Sequence, residues 1–154
     1  MVGTEDGHLE FYDHNLKITN SAFQLSTNEI VYIYNSGAVL NVITADSLLF
    51  QFDPISCASV TNYQIGLPTN RVTCFTPHPL LPHLFAYGST DQSIKLCQLS
   101  SGVVVKLQSI RYHDGFLGQR LGNINKLAWH PSRMILGTVT SDSFISIYGI
   151  NKQD

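Results

Sequence analysis

The residues with the most chemical potential are crowded into one stretch, Tyr112-His113-Asp114-Gly115-Phe116-Leu117-Gly118-Gln119-Arg120-Leu121-Gly122. A histidine beside an aspartate, in a chain with many serines, invites comparison with an acyl-transfer triad, in which a carboxylate orients an imidazole base. Adjacent residues on an extended strand point to opposite faces, so His113 and Asp114 do not by themselves assemble a base and its orienter. There is also no Gly-x-Ser-x-Gly elbow. Gly115, Gly118 and Gly122 fit neither a dinucleotide fingerprint nor a Walker loop, and no Lys-Ser or Lys-Thr follows them. Glycines so placed suit positive φ or close backbone approach. Arg120 can pair with Asp114 and pin the stretch, a contact that adds only ~0–1 kcal/mol if exposed. Phe116, between glycines, reads equally as an interface anchor and as packing beneath its own loop.

Metal chemistry has little support. The six histidines stand at 8, 14, 78, 83, 113 and 130. His78 and His83 have a ligand-like spacing, but no cysteine pair accompanies them. Three cysteines at 57, 74 and 97 are odd in number and widely spaced, so neither a disulfide framework nor a zinc ribbon is expected. Free, half-buried thiols in a reducing compartment are the simplest reading. No catalytic residue, cofactor or metal is therefore expected.

The elements that must carry these residues repeat along the chain. Arg71–Pro79, Leu84–Asp91 and Ser93–Cys97 follow one order: strand, His-Pro, apolar strand, small polar residues and Asp, alternating strand. Asn123–Pro131, Ile135–Asp142 and Phe144–Tyr148 repeat it. Weaker copies surround Val2–Asp13 and Asn41–Asp53. The shared turn aspartates are Asp6, Asp46, Asp91 and Asp142, at intervals of 40, 45 and 51 residues. That period is close to the ~40–45 residues of a four-stranded propeller blade, with insertions in the last interval. An Asp in a short polar turn bonds its own backbone and reverses the chain, and His-Pro ends a strand because proline has no amide hydrogen. Ile94 with Leu96, and Ile145 with Ile147, alternate so that each pair lies on one apolar face. His78 and His130 share a repeat position, which favours a structural role at a strand end.

The expected fold is all-β: a partial WD-repeat β-propeller of about three and a half four-stranded antiparallel blades. The blade units are about 1–26, 27–66, 67–111 and 112–154. The first lacks its start and the last its fourth strand. Such an arc cannot close alone, so the missing blades are expected from the rest of a longer chain or an assembly.

Composition narrows the function classes. Charged residues are only 13% and hydrophobic ones 44%, which argues against disorder. A net charge of −2 with scattered Lys and Arg gives no phosphate-binding stripe, so no nucleic-acid partner is expected. The start has neither a basic region nor an apolar run of the signal-peptide kind. No stretch of 18 apolar residues offers a membrane span. Cytoplasm is the default compartment.

The 112–122 stretch, too long for a generic blade connection, resembles the Asp-Gly-Phe-x-Gly-Gln-Arg-x-Gly connection of the Raptor family, the regulatory-associated proteins of the TOR kinase. His78-Pro79, Tyr87-Gly88-Ser89, Leu127–Pro131 and Ile145–Tyr148 extend the resemblance. It is strongest over roughly 71–150, moderate at 1–13 and 38–54, and weak at 14–37. No Trp-Asp dipeptide occurs, so the specific connection carries it. The resemblance implies a non-catalytic scaffold of TOR complex 1, from the C-terminal propeller region. The TOR kinase and other complex components would be its protein partners, without membrane insertion but with recruitment to the lysosome or vacuole surface. The alternative is a generic WD-repeat adaptor of another complex. Tyr112, Asp114, Gly115, Phe116, Gly118, Gln119 and Arg120 are the candidate interface or blade-connection residues.

Overall fold

The computed structural model describes residues 1–17, 23–111 and 122–149. Among these there are fourteen β-strands and no helix long and apolar enough to cross a membrane. The first sheet holds β1 (Val2–Gly3), β2 (His8–Glu10) and β3 (Phe23–Gln24). The second holds β4 (Ile30–Asn35), β5 (Leu40–Thr44), β6 (Leu48–Phe52) and β7 (Ser59–Gln64). The third holds β8 (Val72–Pro77), β9 (Leu84–Ser89), β10 (Ser93–Ser100) and β11 (Val103–Arg111). The fourth holds β12 (Ile124–Trp129), β13 (Ile135–Thr140) and β14 (Ile145–Gly149). All pairs are antiparallel between strands adjacent in sequence. Two complete and two three-stranded sheets give the all-β repeat expected from the turn aspartates. The sheets form two compact units, Met1–Arg71 and Val72–Asp154.

The four hairpins turn in the same way. The residue after each turn aspartate has positive φ: Gly7 at 80°, Ser47 at 68°, Gln92 at 60° and Ser143 at 68°. Its amide donates to the carbonyl three residues back: Gly7 to Thr4, Ser47 to Thr44, Gln92 to Ser89 and Ser143 to Thr140. Such a turn followed by a left-handed residue is a common short hairpin connection. Only the first copy uses glycine, for which this conformation carries no Cβ strain.

Each unit joins its sheets through a close approach that only a missing side chain allows. A Cβ on Gly3 would lie 2.7 Å from Ile30 Cγ2, and one on Gly88 would lie 2.9 Å from Ile124 Cβ. Both glycines stand three residues before their turn aspartate, and both isoleucines open the first strand of the next sheet. In the first unit this contact borders a core of Leu9, Phe11, Leu40, Val42, Phe50 and Phe52. In the second it borders Ala86, Ile94, Ile124 and Leu136. β5 and β9 are buried at every residue. Strands covered on both faces are apolar without strict alternation, as Leu40–Thr44 and Leu84–Ser89 are.

The alternating rows share a face but differ in what covers them. Ile94 is buried, but Ile145 and Ile147, at the same repeat positions as Ile94 and Leu96, are 74% and 75% exposed. In the third sheet this row packs on the sheet that follows. Among the described residues no sheet follows β14. Alternation identified the face but not what covers it. The cysteines differ in a smaller way: all three are free, but Cys97 is fully rather than half buried. Burial pushes its thiol up to about 11.

Candidate protein-interaction surface

Tyr112, Asp114, Gly115, Phe116, Gly118, Gln119 and Arg120 lie outside the described residues, as does His113. The residues at either end of this connection are described, and each is tied to a turn aspartate. Arg111, which ends β11, donates to Asp91 Oδ2 at 3.2 Å. Gly122 donates its amide to Asp142 Oδ2 at 2.9 Å. A Cβ on Gly122 would lie 2.2 Å from Ser141 Oγ. A side chain there would have to displace the Ser141 hydroxyl and would press on the Asp142 amide nitrogen, 3.0 Å away. The aspartates that make the hairpins also anchor the connection between the third and fourth sheets.

Asp91 is the centre of a larger polar cluster. Lys95 Nζ donates to its Oδ2 at 2.9 Å and to Ser109 Oγ at 3.2 Å. Ser93 contributes its amide and hydroxyl to Oδ1. The Lys95 and Asp91 side chains are only 11% and 15% exposed. Burial works against the Asp91 charge, but hydrogen bonds from Lys95 and Ser93 and the Lys95 charge outweigh it. They hold its carboxyl well below the usual range. A buried ammonium needs such a partner, because a lone charge there would be left without water. Asp142 is also lowered, by hydrogen bonds from the Thr140 hydroxyl and the Gly122 amide.

The repeated histidines cap loops. His78 Nδ1 accepts the amides of Leu80 and Leu81, each at 3.2 Å, and His130 Nδ1 accepts the amide of Ser132 at 3.2 Å. An accepting Nδ1 places the His78 proton on Nε2. The His78 ring lies 4.9 Å from that of Trp129 at 61°, and Trp129 Nε1 donates to the Thr76 carbonyl. Among the described residues, no group of three or more His, Cys, Asp or Glu could hold a metal ion.

Sequence reasoning missed a groove in the second unit, about 450 Å³ in volume. It is lined by Leu96, Gln108, Ile110, Trp129, Met134, Leu136, Ile147, Tyr148 and Gly149. None of these carries a formal charge at neutral pH. Superposing the repeats by their turn aspartates exposes its origin. Phe11 corresponds to Leu96 and Phe52 to Tyr148. Phe23, which pairs with Leu9, corresponds to Ile110, which pairs with Ile94. In the first unit these three phenylalanines converge, with ring centroids 5.9 to 6.3 Å apart. Their counterparts in the second unit border open space. Aligning the repeats for side-chain volume, as well as for turns, would have found it.

No protein-family model matches the chain. The chain is 30% identical over 155 residues to the protein raptor homolog of Dictyostelium discoideum, a match covering 96% of this chain and 10% of that protein. It is 32% identical over 98 residues to the regulatory-associated protein of TOR 1 of Arabidopsis thaliana, covering 64% of this chain and 7% of the relative. The match to eukaryotic translation initiation factor 3 subunit I of Caenorhabditis briggsae is 25% identical, covering 95% and 46%. The chain therefore spans about a tenth or less of the Raptor-type relatives it matches. A chain in the crystal structure of the mitotic checkpoint complex shares the fold, with a TM-score of 0.75 and 16% identity, over 97% of this chain and 45% of its own. The four sheets are thus a partial β-propeller of the WD-repeat kind.

Proposed function

We propose, from a chain that resembles Raptor proteins along nearly its whole length, that it is a propeller segment of a non-catalytic scaffold which holds proteins around the TOR kinase. The likeness to the Raptor homolog carries this reading. The propeller fold agrees with it, since blades of this kind offer surfaces and loop ends for protein contact. In this reading the segment comes from the C-terminal propeller region. It acts in the cytoplasm within TOR complex 1, with recruitment to the lysosome or vacuole surface. The 112–122 connection, flanked by the Arg111–Asp91 contact and closed by the Gly122–Asp142 hydrogen bond, sets the arrangement of the third and fourth sheets and offers part of the docking surface.

The test is affinity purification of the endogenous protein, with mass spectrometry of what it retains. Recovery of the TOR kinase, reduced about fivefold or more by Phe116→Ala with Arg120→Ala, is the expected result; loss of an interface anchor commonly has that effect. Circular dichroism of the variant checks that its sheets persist. The likeness to the initiation factor subunit favours one other reading, an adaptor in a translation complex. Recovery of initiation-factor subunits without TOR kinase would replace the first reading with that one.

A further inference from the structure

The groove of the second unit combines three properties. Among the described residues its lining holds no formal charge at neutral pH, so a charged occupant would lose its hydration to these side chains without a partner. The matching space in the first unit is filled by the rings of Phe11, Phe23 and Phe52. Among the described residues β14 is the edge strand of its sheet, and the groove reaches it: Ile147, Tyr148 and Gly149 all border it, although successive strand residues point to opposite faces.

We propose that this groove receives an aromatic side chain carried by an extended, uncharged segment of a partner protein. The ring would occupy the space between Leu96, Ile110 and Tyr148, where the first unit places its own phenyl groups. Trp129 and Leu136 would form the floor, and Gln108, exposed at the rim, would meet the segment's backbone. This rests on the scaffold reading only in taking the occupant to be a protein.

Trp129 is the sole tryptophan of the chain and lies in the groove wall, so its fluorescence reports occupancy. The chain would be titrated with the capped, neutral pentapeptide Ser-Val-Phe-Val-Ser and with the same peptide carrying Ala for Phe. A saturable blue shift is expected with the first and binding at least about tenfold weaker with the second, the usual consequence of removing a buried ring. Leu96→Phe with Ile110→Phe, which copies the first unit, should abolish the shift without lowering the unfolding midpoint. If that variant fails to fold, Gln108→Glu at the exposed rim should still weaken binding severalfold. The proposal is overturned by the absence of a saturable shift, or by equal shifts from both peptides. Undiminished binding in the folded variants would also overturn it. So would a shift that follows protein concentration without peptide, which would assign the groove to a second copy of the chain. Recovery of the TOR kinase is measured separately, so failure of the scaffold reading and failure of the groove are told apart.

Discussion

Within the first unit the two sheets meet through phenylalanines at 11, 23 and 52, whereas the second unit presents Leu96, Ile110 and Tyr148 around a groove. The framework is otherwise shared: the same aspartate turn, the same left-handed residue after it, and the same glycine against an isoleucine. In the first unit, Tyr12-Asp13 beyond β2 and Phe52-Asp53 at the end of β6 stand at the same repeat positions, and both aspartates accept amides of the turn that follows. The second unit has Cys97-Gln98 and Tyr148-Gly149 there. Backbone geometry is thus set by a few turn and contact residues, while the side chains between sheets are free to vary. One repeat can close its core and another can keep a recess.

The strongest way to break this comparison is to empty the filled side. Phe52→Ala, at a fully buried position, should cost about 3–5 kcal/mol of stability in chemical denaturation. Tyr148→Ala, at the half-buried counterpart, should cost only about 1 kcal/mol, because less apolar area is lost. Equal costs would mean that the second unit is as well packed as the first. The shared contact gives the next effect. Gly3→Ala and Gly88→Ala should each cost about 1–3 kcal/mol by overpacking against Ile30 and Ile124. A neutral result at either position would show that its sheets can separate.

The smallest effect sharpens the comparison through pH. Burial pushes the His78 imidazole below its ordinary 6.5. Between the folded and unfolded values the unfolded chain binds more protons, so stability falls as pH is lowered through that window. Stability, followed by Trp129 fluorescence in chemical denaturation, should therefore fall as pH is lowered below the ordinary histidine value. His78→Asn keeps an acceptor for the loop amides without a titrating ring, and should flatten that slope. A slope unchanged in the variant would place its origin elsewhere.

Much of the framework could be read from the residues. The repeat segments read at Leu84–Asp91 and Ser93–Cys97 carry β9 and β10, and those at Asn123–Pro131, Ile135–Asp142 and Phe144–Tyr148 carry β12, β13 and β14. His-Pro and the turn aspartates mark boundaries through local chemistry, which sequence records directly. The left-handed turn position was visible only at Gly7. Ser47, Gln92 and Ser143 adopt it because the hairpin imposes it, against their own preference. Alternation places Ile145 and Ile147 on one face, as the strand does, but carries no information about the neighbouring layer, and both are exposed. The groove depends on differences between residues brought together from separate repeats, so no single repeat announces it. The candidate residues from Tyr112 to Arg120 lie outside the described residues, and only their anchors at Arg111 and Gly122 have a structural account.

Every pairing in the four sheets joins strands that follow one another in the chain. Loop closure between partners is therefore short, and each sheet can form without waiting for a distant segment. In such an array, stability is approximately a sum of terms within repeats and between nearest neighbours. Duplicating one repeat in the gene would add a whole sheet without rethreading the rest. A duplicate retaining its glycine and isoleucine would inherit the means of attachment, while the side chains facing its neighbour could diverge. The phenylalanine-filled and recessed pairs are two results that such a history can produce.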